Sequence, residues 1–328
     1  MSASHAPRAS TPSESPFRGR FAPSPTGRMH LGNIRSALLG WLQAHAAGGR
    51  FLLRIEDLDR ARCKPQHVDD LMRDLEWLGL TWDETPLIQS QRDDVYRDAI
   101  AKLERAGLVY PCFCTRGEIA RAASAPHGLS EEGPRYPGTC AHLTTEQIAE
   151  RARTRAPAYR FRARPGEVRF EDQLLGPYSQ DVDAVVGDFV VRRNDGVASY
   201  QLAVVVDDAA SGITHVLRGD DLLSSTPRQL QLYAALGLTA PAFLHVPLVF
   251  GEDGKRLAKR EGAFALAELR ERGLPPERVL GLLAAWSGLG DGSPVTLQEL
   301  VSRFHPDALP RTPVVAREAV LVEALGLR

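Results

Sequence analysis

Near the start of the chain, Pro23-Ser24-Pro25-Thr26-Gly27 cannot be helical, since its two prolines lack the amide proton a helix needs. What flanks this turn is regular. Arg20-Phe21-Ala22 is a short strand candidate. Leu31, Ile34, Leu38, Trp41 and Leu42 then recur at three- and four-residue spacing until Gly48-Gly49 stops them. Arg50-Phe51-Leu52-Leu53-Arg54-Ile55 reads as a largely apolar strand ending in Glu56-Asp57, and Val68, Leu71, Met72, Leu75 and Leu78 mark another helix. Strand, helix, strand, helix predicts an α/β fold of parallel βαβ topology. A rigid turn that opens a helix also leaves amide N–H groups unpaired, with the positive end of the helix dipole behind them. That is a ready phosphate site.

The rest of the chain divides around this unit. Residues 1–16, rich in Ser, Pro and Ala without an apolar run, predict a disordered tail and not a signal peptide. The strand–helix pattern covers 17–107 as the first half of a catalytic domain. It breaks over 108–185, which holds clustered cysteines and a Gly/Pro-rich stretch at 126–138, so this segment reads as an insertion. Buried-strand patterns return over 186–250, at 202–206, 213–217 and 243–250, with a helix over 226–236. Residues 251–328 read as a cationic loop followed by a mostly helical segment.

Charge excludes some classes of function. Lys+Arg 40 against Asp+Glu 41 is no polycation, so contact with nucleic acid requires a local basic face. Cys63, Cys112, Cys114 and Cys140 are too few for a secreted disulfide scaffold of 328 residues. No apolar run reaches membrane-spanning length. A cytoplasmic monomer with reduced thiols is expected. Lysine is scarce, and that makes Lys255 and Lys259, four residues apart in one loop, stand out.

The turn continues as Arg28-Met29-His30-Leu31-Gly32-Asn33. Pro-Ser-Pro-Thr-Gly-x-x-His-x-Gly resembles the first signature of class I aminoacyl-tRNA synthetases in its glutamyl/glutaminyl form, and the strand ending Arg54-Ile-Glu56-Asp57-Leu-Asp59-Arg60 is similar to that family as well. Gly254-Lys-Arg-Leu-Ala-Lys259-Arg260 resembles the second signature, Lys-Met-Ser-Lys-Ser. It departs at Arg256, in place of the first lysine, and at Ala258, in place of the serine. The resemblance implies a Rossmann-type parallel sheet and activation of L-glutamate by ATP with Mg2+. It implies that His30, Gly32, Asn33 and Lys259 contact ATP, with His30 and Lys259 acting in catalysis. Glutamate, with one ammonium and two carboxylates, requires an acid for the amine and cations for the carboxylates. The resemblance maps these contacts onto Arg20, Phe21, Ala22, Pro23, Ser24, Glu56, Tyr200 and Arg218. Val204 stands where ordinary glutamyl-tRNA synthetases carry an asparagine.

Cys112-Phe-Cys114 and Cys140 are three soft ligands for tetrahedral Zn2+. Tyr136 and His142 are both available as the fourth, and the resemblance favours Tyr136. Such a zinc is structural, a staple for an α+β insertion with little core of its own. Only residues 261–328 follow the cationic loop, with no room for the helical domain that reads the anticodon. In this respect the chain resembles the truncated paralogues of glutamyl-tRNA synthetase. That implies transfer of glutamate to the queuosine base at the wobble position of tRNA(Asp). The alternatives are a minimal enzyme charging tRNA(Glu) and a non-catalytic tRNA-binding paralogue.

Overall fold

The computed structural model of the protein describes residues 17–122, 134–255, 257 and 265–326. The expected tail, 1–16, and Lys259 with its neighbours Arg256, Ala258 and Arg260 lie outside these residues. The opening unit is β1 (Arg18–Phe21), α1 (Leu31–Ala46), β2 (Arg50–Ile55), α2 (Pro65–Trp77) and β3 (Leu87–Ile88), and its strands are parallel in the order β1-β2-β3. Next come α3 (Asp93–Arg105), β4 (Val109–Cys112), α4 (Arg116–Ala122), α5 (Thr145–Ala152), β5 (Ala158–Phe161), β6 (Glu167–Asp172), β7 (Gly176–Asp181), α6 (Val182–Val185) and β8 (Phe189–Arg192). The chain then returns through α7 (Tyr200–Ala210), β9 (His215–Gly219), α8 (Thr226–Leu236) and β10 (Ala242–Val246). It ends in β11 (Val249–Gly251), α9 (Leu266–Glu271), α10 (Pro276–Ala285), α11 (Leu297–Arg303), β12 (Val314–Ala316) and α12 (Glu318–Leu325).

A second sheet has the order β7-β6-β10-β9, in which β9, β10 and β6 are parallel. Thr214 N, just before β9, donates to Arg18 O at 3.0 Å and joins this sheet to β1. From β1 the chain therefore builds outward in both directions, first through β2 and β3 and later through β9 and β10. One apolar cluster, with Leu38, Leu42, Phe51 and Leu283, covers one side; another, with Leu103, Val205, Leu232 and Phe243, covers the other. Ligands of open α/β sheets bind at the carboxyl ends of the strands where the order reverses, here between β1 and β9.

The segment 108–185 serves two sheets. β4 pairs antiparallel with β5, and β5 with β8, which lies beyond residue 185, whereas the β6–β7 hairpin docks on β10. Among the described residues no helix is long and apolar enough to cross a membrane.

Residues 202–206 form a helix, not the strand that their apolar run predicts. Ser199 caps α7, its hydroxyl accepting from Leu202 N at 3.4 Å. The helix is buried on nearly every side, so the amphipathic period that would have marked it is absent. Its last turn is anchored to α3 and the turn that leads into it. Asp207 accepts hydrogen bonds from Gln89 Nε2 (2.8 Å), Arg92 Nε (2.7 Å) and Tyr96 Oη (2.7 Å). The C-terminal segment is mostly helical as expected, except that β12 pairs with β11 in parallel; three residues are too few to show a period.

At the outer sheet, Asp172 ends β6 and accepts from Leu174 N, Leu175 N and His245 N as well as from His245 Nδ1 at 2.6 Å. Burial lowers the His245 pKa to about 4, outweighing the opposing pull of Asp172. The native state thus resists protonation that the unfolded chain accepts below about 6.5. Stability is therefore lost as pH falls from 6.5 towards 4. Urea midpoints are expected to drop more steeply over this range for the wild type than for His245→Gln. Asp207→Ala strips two buried donors, Gln89 and Tyr96, and the half-buried Arg92 of their acceptor and is expected to cost roughly 3 kcal/mol in urea unfolding at pH 7.

Candidate active site

Strand ends bring the charged residues together. Glu56, one residue past β2, donates its N–H to Pro23 O at 3.0 Å, tying the end of β2 to the Pro/Gly turn after β1. Phe21, Ala22 and Pro23 line up along this exit, with Pro23 buried and Ser24 exposed. Arg20, Arg54, Glu56, Asp208 and Arg218 are all more than nine-tenths buried. Arg54 bridges two acids, donating to Asp208 Oδ1 at 2.5 Å and to Glu56 Oε1 at 3.0 Å. Arg20 donates to Asp208 Oδ1 at 3.2 Å and to Leu217 O at 3.3 Å. Burial pushes the Asp208 carboxyl up, but Arg20 and Arg54 outweigh it and hold the group below the usual range. At Glu56 the balance reverses. Burial raises its pKa and Arg54 and Arg20 only partly compensate, so this carboxylate has spare capacity for a cation.

Arg218 differs from the other two arginines. Its Nε donates to His245 Nε2 (3.0 Å), its Nη1 to Tyr200 Oη (3.3 Å), and its Nη2 to Thr226 Oγ1 (2.8 Å) and Leu222 O (3.3 Å). All four partners are neutral, and burial lowers its pKa from the ordinary guanidinium value. The cluster as a whole sets three guanidiniums against the two carboxylates of Glu56 and Asp208.

In front of it opens a cleft of about 870 Å3, lined by Ser24, Thr26, Glu56 and Tyr200 on the sheet side and by Cys112–Arg116 on the insertion side. Arg20 and Arg218 lie behind this wall and do not line it; Arg218 adjoins it through Tyr200. Val204, one helical turn after Tyr200, is buried in apolar packing.

His30 caps α1, its Nδ1 accepting from Asn33 N at 3.3 Å, and burial lowers its pKa to about 4. A Cβ on Gly32 would stand 3.2 Å from that Nδ1, so the glycine leaves room for the imidazole as well as for a ligand. His30 and Gly32 share a smaller cavity of about 100 Å3 with Pro247, Leu248, Val249 and Leu257. His30 also bridges to Ala265 in β fashion, and Leu266 N donates to Met29 O at 3.0 Å. The described residues on either side of the Lys259 segment thus both meet the His30 turn. Asn33 is exposed.

In the insertion, the sulfurs of Cys112, Cys114 and Cys140 lie within 4.8 Å of one another. A tetrahedral zinc with ~2.3 Å bonds spaces sulfurs at ~3.8 Å, and Cys114 Sγ is 3.6 Å from Cys140 Sγ. Tyr136 Oη stands 3.4 Å from Cys112 Sγ and 4.0 Å from Cys114 Sγ; His142 is not part of the cluster. Arg160 stacks on the Tyr136 ring and donates to Cys112 Sγ at 3.3 Å. Burial and the neighbouring sulfurs push the Cys114 thiol up to about 12, so the three sulfurs do not ionise together without a cation. Cys63 stands apart, its thiol facing Glu56 O at 3.8 Å.

Arg54, Asp208, Asp172, His245 and Thr226 were not among the residues expected from sequence. A signal was present for two of them: an arginine inside an apolar strand, and paired aspartates closing an apolar run. Both are charges in segments that must be buried. Asp172, His245 and Thr226 carry no such mark.

Three comparisons bear on this site. The family model of "tRNA synthetases class I (E and Q), catalytic domain" matches residues 16–321. The chain is 54% identical over 306 residues to the glutamyl-Q tRNA(Asp) synthetase of Symbiobacterium thermophilum, covering 90% of this chain and 94% of that protein. It is 50% identical to the protein of the same name from Nocardia farcinica, covering 93% and 94%. The crystal structure of the glutamate–tRNA synthetase of Elizabethkingia anophelis superposes with a TM-score of 0.82 at 27% identity, over 94% of this chain and 70% of that one. With its parallel sheet, its His30 turn and its buried arginines, the chain belongs to the class I tRNA synthetases of the glutamate and glutamine type and is a ligase of that family.

Proposed function

We propose that the chain activates L-glutamate with ATP and passes the glutamyl group to the queuosine base at the wobble position of tRNA(Asp). The observation that carries the glutamate half is Arg218, a buried guanidinium with only neutral hydrogen-bond partners that adjoins the cleft through Tyr200, together with Glu56, a buried carboxylate of the cleft wall whose arginine partner is shared with Asp208. A small molecule bearing one ammonium and two carboxylates satisfies both. In this reading Glu56 takes the amine, Arg218 and Tyr200 take one carboxylate, and Arg20 with Ser24 and the backbone of Phe21–Pro23 shapes the rest. The queuosine half is supported by the names of relatives that match the chain along almost their whole length.

The chemistry needs no general base for the first step, because the glutamate carboxylate is already ionised. An oxygen of its α-carboxylate attacks the α-phosphorus of ATP, the bond to the bridging oxygen breaks, and pyrophosphate leaves. His30 and Gly32 hold the nucleotide at the helix N-terminus, and Lys259 neutralises charge on the departing phosphates. Mg2+ enters with ATP and shields its phosphates. In the second step a queuosine hydroxyl oxygen attacks the activated carbonyl carbon, AMP leaves with the bonding pair, and the hydroxyl proton is released. Cys112, Cys114, Cys140 and Tyr136 fit a structural Zn2+, which would cross-link the insertion opposite the sheet wall of the cleft.

Glutamate-dependent ATP–pyrophosphate exchange and transfer of labelled glutamate test the two halves. Exchange with glutamate, and label on queuosine-containing but not queuosine-lacking tRNA(Asp), are the expected results; equal labelling of both tRNAs would refute the queuosine acceptor. Metal analysis of the purified protein is expected to give one zinc per chain, lost in Cys140→Ser together with several degrees of thermal stability.

A further inference from the structure

Behind Arg218 lie two polar side chains, Asp172 and His245, to which the proposed reaction gives no role. Asp172 Oδ2 faces His245 Nδ1 at 2.6 Å, and His245 Nε2 faces Arg218 Nε at 3.0 Å. All three groups are buried, the side chains of Asp172 and His245 completely. Their chemistry leaves one arrangement. A carboxylate only accepts, so Nδ1 carries the proton. A guanidinium only donates, so Nε2 is bare and accepts. The Thr226 hydroxyl accepts from Arg218 Nη2 and is 3.3 Å from the same Nε2, which completes the ring of contacts. Interposing a neutral imidazole also has an electrostatic consequence. Asp172 in direct contact with Arg218 would neutralise it. One side chain removed, the acid fixes the direction of the guanidinium without pairing its charge.

We propose that Asp172 and His245 form a tautomer lock that positions Arg218 to receive a substrate carboxylate, and so set the affinity for the amino acid without touching it. This rests on the reading of the buried cluster as an amino-acid site. Both are positioning residues. The lock explains why a hairpin from the inserted segment is hydrogen-bonded to the catalytic sheet at Phe243↔Asp172. That pairing delivers the carboxylate to the imidazole.

Asp172→Asn isolates the lock from packing. The amide oxygen retains the Leu174, Leu175 and His245 backbone N–H bonds made to Oδ1, while an NH2 group at the Oδ2 position faces Nδ1. The histidine proton then moves to Nε2 and points at the Arg218 N–H. In 15N spectra of labelled histidine, with His245 identified by its loss in His245→Gln, the proton is expected on Nδ1 in the wild type and on Nε2 in Asp172→Asn. The KM for glutamate in pyrophosphate exchange is expected to rise about tenfold or more, with the KM for ATP within about twofold. His245→Gln, which retains an acceptor oxygen, is expected to lose less than His245→Leu.

A proton on Nε2 in the wild type overturns the lock. So does a moved proton with unchanged KM for glutamate, or an equal rise in both KM values. If Asp172→Asn does not fold, equal losses in His245→Gln and His245→Leu overturn it. If the wild type shows no glutamate-dependent exchange, the substrate reading fails on its own. The Arg218 Nε–H resonance then decides the lock, because its persistence unchanged in both Asp172→Asn and His245→Leu would refute it.

Discussion

Three buried guanidiniums at the meeting of β1, β2 and β9 are the constraint around which the catalytic domain is arranged. A cation removed from water is expensive unless carboxylates or oriented dipoles replace its hydration. Two of the three are matched by Asp208 and Glu56, and the third is held by dipoles alone. The helical conformation of α7 follows from this requirement as much as from its cap. Asp207 and Asp208 are adjacent in sequence, yet they serve opposite neighbours. Asp207 binds α3, and Asp208 binds the arginines of β1 and β2. Consecutive helical side chains diverge by about 100°, and that divergence allows one dipeptide to anchor the helix on one side and neutralise the site on the other.

The segment between β4 and β8 does more than face the cleft. Its cysteines sit in a small cluster of their own, whose buried members among the described residues are Tyr110, Cys112, Phe113, Tyr136 and Cys140. Its β6–β7 hairpin crosses to the catalytic sheet and places Asp172 against His245. The two ends of the segment are therefore coupled to the site in different ways, one through the wall of the cleft and the other through the sheet that carries Arg218. A domain boundary drawn by composition at residue 185 separates β7 from β8, while hydrogen bonding groups β8 with β4 and β5 and groups β6 and β7 with β10.

Much of this was legible in the chain. The Pro/Gly turn, the period of α1 and the apolar run of β2 predicted the first βαβ unit, because those signals depend on neighbours a few residues apart. The His30 and Arg54–Arg60 motifs carried the resemblance to the class I synthetases of the glutamate and glutamine type, which the family match bears out, and Cys112, Cys114 and Cys140 come together as a group able to hold a metal. α7 was misread because a fully buried helix and a buried strand present the same unbroken apolar run.

By itself, the sequence determined the parallel α/β class, the rigid Pro/Gly turn before α1 and the charged residue types that flank it, since each follows from local backbone preference or from charge. Tertiary structure alone decided which charges meet. Arg54 and Asp208 are 154 positions apart, Arg20 and Asp208 188, and Asp172 and His245 73. No periodicity links such pairs. They form because burying the strands leaves each charged side chain one place where its desolvation is compensated, and that place exists only after the sheet has assembled.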